Sequence, residues 1–425
     1  MKVFKFGGAS VKDADAIKNV AKILSSYKEE KLMIVLSAMG KTTNALEAVV
    51  EAYVNKKGDA FEALGKVKDV HYQMLSLLFD EGDAVFDAVN DTFVEIEWVI
   101  EDDAAESYDY IYDQIVSIGE MLSTKILAAY LNKVGLLTNW LDARDVIATD
   151  NTYREAQVQW KETIARMNET VPSMLEKGFV ITQGFIGGTS ENFTTTLGRE
   201  GSDYTAAICS YCLDAESMSV WKDVPGILTA DPRVFKNVTK LDRLSYREAI
   251  EMTYYGAKVI HPKTIKPLQN KSIPLHVKSF IDPTGEGTMI SGIMEQRYPP
   301  MVVLLKNQAL IHVSRRDFSF VEEESLSELF RLFKKHRIKV NMMQNSAISF
   351  SVCINHVPRR LAAFLDEIKD DYQVICDEDL QLTTVRHYTP EIIRELKQGR
   401  MVLLEERIHK TIQMVMRTVP LMKLK

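Results

Sequence analysis

Apolar positions along the first two thirds of the chain follow two alternating periods. Short continuous apolar runs are typical of strands buried in a parallel sheet, and three of them are KVFKF, LMIVLSAM and GFVITQG. Residues 45–132 instead have apolar positions at helical spacing, for example at Ile111, Ile115, Ile118 and Leu122. Alternating strands and helices predict an α/β fold, a layered sandwich with a mainly parallel central sheet.

The pattern changes near YPPM at residues 298–301. Beyond it the periods give a strand, a helix, two strands, a helix and a strand, which predicts a ferredoxin-like α+β unit. One predicted helix face has Leu326, Leu329, Phe330 and Phe333, and one strand face has Ile348, Phe350, Val352 and Ile354. The last residues resemble a shortened second copy. We therefore predict two domains, residues 1–297 and 298–425.

Composition narrows the function classes. A chain of 425 residues is too long to fold around one compact hydrophobic core. Its net charge of −7 predicts no general attraction to nucleic acid or anionic membranes. The sequence contains no uninterrupted apolar run of about 18 residues, so we predict no membrane-spanning segment. The start lacks the pattern of a signal peptide. The four cysteines are sparse, namely Cys209, Cys212, Cys353 and Cys376. The CxxC-like pair Cys209 and Cys212 lies in an apolar helical pattern, and we interpret it as two buried thiols in a reducing cytoplasm.

Lys5 lies inside the first apolar run and is followed by Gly7 and Gly8. One interpretation is an edge strand with a solvated lysine before an ordinary turn. The other is a phosphate site, because glycines allow the backbone to approach a ligand and lysine supplies the opposite charge. The sequence leaves both open at this point.

LMIVLSAMGKTTN resembles a P-loop because Gly40, Lys41 and Thr42 stand between a strand and a helix. The P-loop pattern also requires a glycine where Val35 stands. The alternative is therefore favoured, in which Ser37 and Thr43 place hydroxyl groups at the mouth of a strand.

The densest polar stretch is GFIGGTSENFTTTLGREGSDYTAA, residues 184–207. Gly198 and Gly201 precede a helix predicted to begin at Ser202 and Asp203, both good N-caps, and such a helix start offers free N–H groups to an anion. The structural alternative is a capped helix after a β-turn. Three hydroxyls, two glycines, an arginine and an aspartate within ten residues favour the anion site. Farther on, His261 is read as structural rather than catalytic.

Six motifs in order carry a family resemblance: KFGGAS, LSAMGKTTN, SIGEMLST, TTTLGREGSD, WKDVPGILTADPR and EMTYYGAKVIHPKT. Together they resemble the aspartokinases of the amino-acid-kinase superfamily, from Met1 to about residue 295. Residues 300–425 resemble the ACT regulatory region of that family. The resemblance implies transfer of the γ-phosphoryl group of ATP, with Mg²⁺, to the side-chain carboxylate of L-aspartate.

The resemblance also implies roles for individual residues. Lys5 bridges the transferring phosphoryl group, and Asp203 orients Lys5 or the metal. The aspartate contacts are Ser37, Thr43, Glu120, Arg199 and Ser202. The nucleotide contacts are Gly7, Gly8, Lys222, Asp223, Arg233 and Lys258. The chain departs from the family pattern on the nucleotide side, at Ala9, Glu200, Lys222 and Leu228.

In the ACT-like region, NMMQNSAISFSV resembles the effector-binding segment of the family. The resemblance implies that Gln344, Asn345 and Ser346 bind an amino acid effector, lysine or threonine, and that the region forms a homodimer. The alternative, that these side chains cap a β-turn, stays open. Two other functions also remain: another kinase of the superfamily, acting on glutamate or a nucleotide, and a non-catalytic amino acid sensor.

Overall fold

The computed structural model describes residues 1–101, 106–257, 260–292, 297–317, 319–320 and 322–418. The chain forms two compact units. The first comprises Met1–Ile227, Lys240–Ile250 and Ile260–Met294. The second comprises Leu228–Thr239, Glu251–Val259 and Glu295–Lys425. Two segments that precede residue 297 therefore pack with the C-terminal region, so the units are not separated by a single cut in the chain.

The first unit contains an eight-stranded sheet, in the order β3-β4-β2-β1-β7-β9-β10-β8. Its strands are β1 (Lys2–Phe6), β2 (Leu32–Leu36), β3 (Thr138–Leu141), β4 (Phe179–Gln183), β7 (Ser217–Lys222), β8 (Arg243–Ser245), β9 (Leu275–Ser279) and β10 (Thr288–Ser291). Apart from the antiparallel pair β9 and β10, neighbouring strands run parallel. The predicted α/β fold with a mainly parallel sheet is confirmed. A hairpin of β5 (Ile186–Gly188) and β6 (Thr194–Thr196) stands apart from this sheet.

Helices cover the long segment between β2 and β3, as its apolar spacing predicts. They are α2 (Thr42–Asn55), α3 (Ala60–Leu78), α4 (Val85–Glu101), α5 (Tyr108–Val116) and α6 (Ile118–Lys133). The other helices before residue 271 are α1 (Ala14–Ser25), α7 (Ala143–Val146), α8 (Trp160–Leu175), α9 (Gly201–Cys212), α10 (Tyr246–Tyr254) and α11 (Pro262–Asn270), with a short 3-10 helix at Gly8–Val11. His261 caps α11, since its imidazole accepts a hydrogen bond from the N–H of Lys263.

The second unit contains a six-stranded antiparallel sheet, in the order β12-β13-β11-β14-β16-β15. Its strands are β11 (Met301–Arg315), β12 (Val340–Asn345), β13 (Ser349–Asn355), β14 (Tyr372–Arg386), β15 (Arg400–Ile408) and β16 (Thr411–Thr418), and its helices are α12 (Glu323–Lys335), α13 (Pro358–Ile368) and α14 (Pro390–Lys397). The predicted ferredoxin-like unit is confirmed by the strand order of β12, β13, β11 and β14. The second copy uses the first part of β11 and the last part of β14, which pair with each other. The same part of β14 also pairs with β16, and β16 pairs with β15.

The core of the full ferredoxin-like unit lies between one sheet face and helices α12 and α13. Phe350, Val352 and Ile354 pack there against Leu329 and Phe333. Of the residues predicted to share these two faces, Phe330 and Ile348 are exposed. Helical and strand periods mark a face, but the ends and edges of that face are decided by what packs on it. Within the described residues, no helix has the length and apolar character needed to span a membrane.

Candidate active site

Lys5 lies in a central strand of the first sheet. Strand β1 is paired in parallel with β2 on one side and β7 on the other, which places Lys5 between Val35 and Val220. The Lys5 side chain is only 10% exposed. The edge-strand interpretation is therefore wrong, because both edges of β1 are paired. A buried ammonium group requires a partner of opposite charge.

That partner is Asp203, in the first turn of α9. Lys5 Nζ lies 2.7 Å from Asp203 Oδ1, and Lys222 Nζ, at the end of β7, lies 3.8 Å from Asp203 Oδ2. Burial alone would raise the pKa of Asp203, but the two ammonium groups more than offset it and the net shift is downward. Two ammonium groups thus flank one carboxylate near the ends of β1 and β7.

Helix α9 begins at Gly201 rather than at the predicted caps. Glu200 precedes it in the left-handed conformation, with φ 56°, and its side chain is exposed. Ser202 and Asp203 are buried within the first turn. The helix start therefore directs Asp203 toward Lys5 instead of capping its own backbone. A larger residue at position 200 fits because it faces solvent.

Glycines bring the loops after β1 and β2 close together. A Cβ at Gly8 would lie 2.6 Å from the carbonyl oxygen of Ala38, while one at Gly7 would lie 3.6 Å from Lys5 Nζ. The Gly40 N–H donates a hydrogen bond to the Gly8 carbonyl at 3.0 Å. The glycine pair after β1 thus permits contact between two loops, as well as an open approach to the Lys5 ammonium group.

Glu120 is buried in the first turn of α6. Its Oε1 accepts a hydrogen bond from the Ala38 N–H at 3.3 Å, and its Oε2 has no hydrogen-bond partner within the described residues. Burial raises the pKa of Glu120 to about 8, against smaller opposing effects from the Ala38 amide and Lys5. A buried acceptor without a donor is rare in folded proteins and indicates a place for a donor from a ligand.

The other predicted site residues of the first unit are Ser37, Thr43, Arg199 and Asp223, which lie after strands β2 and β7 or near the starts of helices α2 and α9. Ser37 and Thr43 are half-buried, after β2 and at the start of α2. The backbone N–H of Ser37 donates to the Phe6 carbonyl at 3.1 Å, which holds the ends of β1 and β2 together. Arg199 and Asp223 are exposed, in the turn before α9 and directly after β7.

Two predicted nucleotide contacts remain, Arg233 and Lys258. Arg233 belongs to the second unit, where its exposed guanidinium binds Asp231 through Nε–Oδ1 at 3.0 Å and Nη2–Oδ2 at 2.8 Å. Lys258 lies outside the described residues. The structure therefore brings together Lys5, Asp203 and Lys222, and it leaves Arg233 with a local partner.

The predicted effector residues lie at the turn between β12 and β13. Ser346 closes this turn, because its N–H donates to the Ser349 carbonyl at 2.8 Å. Gln344 is exposed within β12. A cleft of about 370 Å³ also opens here, lined by Phe320, Glu322, Glu323, Leu326, Asn345, Ser346 and Ala347. The structure thus shows both a capped turn and a surface cleft at this place.

Sequence reasoning missed Gln183, at the end of β4. It is buried, its Nε2 donates to Thr124 Oγ1 at 2.8 Å, and its Oε1 accepts from the Ala143 N–H at 2.7 Å. It thereby joins α6, which carries Glu120, to the end of the sheet. The available signal was a polar residue that closes an otherwise apolar strand.

Residues 1–279 match the Amino acid kinase family. The chain belongs to the amino acid kinase family. It is 33% identical over 356 residues to lysine-sensitive aspartokinase 3 of Escherichia coli (strain K12), covering 83% of this chain and 78% of that protein. It is 32% identical over 363 residues to aspartokinase 1, chloroplastic, of Arabidopsis thaliana, covering 83% of this chain and 63% of that protein.

Solved structures agree over almost the whole chain. E. coli aspartokinase III in complex with lysine and aspartate (T-state) has a TM-score of 0.84 at 28% identity, covering 98% of this chain and 95% of that one. The same enzyme in complex with aspartate and ADP (R-state) has a TM-score of 0.82 at 28% identity, covering 98% and 96%. The similarity therefore includes both compact units.

Proposed function

We infer that the protein is an aspartokinase, which transfers the γ-phosphoryl group of ATP to the side-chain carboxylate of L-aspartate and forms 4-phospho-L-aspartate. The observation that carries this inference is the buried Lys5–Asp203–Lys222 cluster at the ends of β1 and β7. Membership of the family and the similarity to aspartokinases over both units support it.

The main barrier to this reaction is repulsion between two anions. The aspartate carboxylate is already ionised at neutral pH, so it attacks without a general base. Positioning and opposite charge then supply the catalysis. Two unit charges about 4 Å apart interact by ~4 kcal/mol at an effective dielectric constant of ~20. We propose that Lys5 bridges the attacking carboxylate and the transferring phosphoryl group, with Asp203 holding its ammonium in place.

ATP enters with Mg²⁺ as the second substrate. Mg²⁺ retains several waters and binds chiefly through phosphate oxygens, so its main ligands come from the nucleotide. Lys222 and Asp223 stand at the end of β7 on the proposed nucleotide side, where Lys222 can neutralise phosphate charge. Gly7 and Gly8 leave the backbone after β1 open to the phosphates. Arg233 and Lys258 remain proposed nucleotide contacts.

The aspartate side is proposed to recognise both charged groups of the amino acid backbone. Among the described residues none donates to Glu120 Oε2, so this oxygen suits the α-ammonium group of the substrate. Arg199 has five donors in a planar fork, which suits bidentate capture of the α-carboxylate. Ser37, Thr43 and Ser202 supply hydroxyl groups around the substrate. Glutamate, one methylene longer, would carry its side-chain carboxylate past the Lys5 ammonium.

The decisive assay measures aspartate-dependent ATP turnover with hydroxylamine as the trap for the acyl phosphate. We expect a hydroxamate with aspartate and none with glutamate or acetylglutamate. Lys5→Met should lower the rate of hydroxamate formation about 10³-fold, while Lys28→Met, at an exposed lysine, should leave the rate unchanged. ATP turnover that persists at the wild-type rate in Lys5→Met, or a preference for another acceptor, would contradict the assignment. Binding of an amino acid without turnover would favour the sensor.

We further propose that lysine binds the cleft at the β12–β13 turn. The E. coli relative is named lysine-sensitive, and its enzyme is solved in complex with lysine. The cleft of this chain includes two carboxylates, Glu322 and Glu323, which suit a cationic side chain, and the polar groups of Asn345 and Ser346 suit an amino acid backbone. Calorimetry with lysine and threonine tests this, with lysine as the expected ligand.

A homodimer through the second unit is the proposed assembly. Strand β12 lies at the edge of its sheet, and Met343 and Ile348 beside it are exposed apolar residues. An unpaired edge with apolar side chains is suited to a second copy of the same chain. Light scattering at micromolar concentration should give twice the chain mass.

A cytoplasmic location is proposed from the four free thiols of the protein.

A further inference from the structure

The outer edge of β6 is covered by side chains instead of by another strand. On its inner edge β6 pairs with β5. On its outer edge, Gln114 Nε2 donates to the Thr194 carbonyl at 2.9 Å, and the Thr194 N–H donates to Gln114 Oε1 at 3.3 Å. An amide that both donates and accepts in this way reproduces the hydrogen bonds of a paired strand residue.

Asp113, the residue before Gln114 in helix α5, binds the same edge of β6 two residues further along the strand, at Thr196. Its Oδ2 accepts from the Thr196 N–H at 2.8 Å and from the Arg154 N–H at 2.9 Å, and its Oδ1 accepts from the Thr196 hydroxyl at 2.7 Å. The Ala156 N–H donates to the Thr196 carbonyl at 3.0 Å. Asp113 thereby ties together α5, the segment at 154–156 and β6.

The tied strand leads directly into the turn that carries Arg199. Two residues lie between Thr196 and Arg199, and one of them, Gly198, has φ +77°. A Cβ at Gly198 would lie 3.0 Å from the Arg154 carbonyl oxygen, so the segment held by Asp113 also packs against this turn. The turn ends at α9, whose first residues include Ser202 and Asp203. Its geometry is thus fixed from β6 on one side and α9 on the other.

We propose that Asp113 and Gln114 are positioning residues for aspartate, which hold β6 and thereby set the position of the Arg199 turn relative to Glu120 on the adjoining helix α6. The proposal rests on the aspartokinase function inferred above. It adds that helices α5 and α6 serve both ends of the amino acid: Glu120 contacts the ammonium group, and the Asp113–Gln114 pair places the group that binds the α-carboxylate.

Burial of a charged carboxylate at position 113 is energetically unfavourable. Burial raises the pKa of Asp113 to about 6, although three donors surround it. Asparagine has the same shape, and its oxygen can accept from both N–H groups while its amide nitrogen meets a rotated Thr196 hydroxyl. The geometry therefore requires the shape and the acceptors of Asp113 rather than its charge, which makes asparagine a conservative replacement.

The kinetic test uses Asp113→Ala, Gln114→Ala and Asp113→Asn in the full chain. We expect the KM for aspartate to rise about 10-fold or more in the two alanine variants, because a displacement near 1 Å is costly at a reacting centre. The KM for ATP should change little, and Asp113→Asn should restore the KM for aspartate. Asp109→Ala is the matched control, since Asp109 lies on the same helix and pairs with the Arg154 side chain at 3.1 Å, and the hydrogen bonds described above for the outer edge of β6 do not involve it.

Equal changes in both KM values, or a folded Asp113→Ala enzyme with the wild-type KM for aspartate, would overturn the proposal. Amide hydrogen exchange supplies a readout independent of turnover. The Thr196 amide should exchange slowly in the wild type and markedly faster in Asp113→Ala, with amides in β2 unchanged. An unchanged Thr196 rate would also overturn it. Absence of aspartate-dependent turnover in the wild type would instead reject the underlying function.

Discussion

Lys5 Nζ and Asp203 Oδ1 lie 2.7 Å apart although 198 positions separate the two residues in the chain. The pair joins the end of β1 to the first turn of α9, and both side chains are almost completely buried. Removing one member of a buried pair leaves the other without compensation. Replacing either residue should therefore affect both the stability of the site and its charge, and each residue can be replaced separately.

The two lysines of the cluster should differ in importance. Lys5→Met should lower kcat about 10³-fold, which corresponds to the loss of ~4 kcal/mol of charge stabilisation. Lys222→Met should have a smaller effect on kcat and mainly raise the KM for ATP, because Lys222 is 26% exposed and 3.8 Å from Asp203. Steady-state kinetics of both variants, with thermal melts as the folding control, measure this. Equal losses of kcat would contradict the separate roles.

The affinity for aspartate should depend on pH through Glu120. Its pKa of about 8 means that the free protein holds it mostly protonated at neutral pH, and pairing with an ammonium group requires the charged form. Aspartate binding should therefore strengthen as the pH rises from 6 to 8 and release a proton. Calorimetry in buffers of different ionisation enthalpy detects that proton. Glu120→Gln should bind more weakly and without this pH dependence.

The raised pKa of Glu120 also predicts how the stability of the ligand-free protein depends on pH. A group that binds its proton more tightly in the folded state stabilises the fold below its unfolded pKa, and this contribution is lost as the pH rises through the folded value. The contribution of Glu120 should thus decline between about pH 5 and pH 8. Comparing thermal melts of the wild type with those of Glu120→Gln isolates it. An identical pH dependence in both proteins would contradict the prediction.

Gly8→Ala should destabilise the protein by roughly 1–3 kcal/mol, because the added methyl group would meet the Ala38 carbonyl oxygen at 2.6 Å and force the two loops apart. It should also reduce turnover. Gly65→Ala is the matched control: Gly65 lies within α3 with no atom within 4 Å of the added Cβ, so alanine should stabilise that helix by up to ~1 kcal/mol. Urea denaturation measures both, and opposite signs are expected.

Glu323→Gln should weaken lysine binding to the second unit, because it removes one carboxylate from the cleft beside Asn345 and Ser346. Glu324→Gln provides the control, since it is the next residue of α12 and is exposed. Calorimetry and inhibition by lysine should respond to the first substitution alone. Equal effects of the two would indicate general electrostatic attraction rather than a site.

The apolar pattern was enough to predict both folds, because buried parallel strands and amphipathic helices have distinct periods. The residues around Lys5 left open whether this lysine is solvated or binds phosphate, and the family resemblance implied the phosphate role. The apolar pattern could not show that β1 is central rather than at an edge, since strand order depends on partners far away in the chain. The helix start at Gly201 was missed for a related reason: Ser202 and Asp203 are good caps locally, but Asp203 gains more from Lys5 and Lys222 than from its own backbone.

Sequence alone determined which residue types are available and which segments become strands and helices, because local periodicity and turn chemistry are properties of neighbouring residues. Tertiary structure alone decided that Asp203 faces Lys5, that one Glu120 oxygen has no hydrogen-bond partner in the described part of the chain, and that α5 supplies the missing edge of β6. Those relationships depend on burial and on contacts between distant segments, and burial is what changes the strength of a charge or a hydrogen bond.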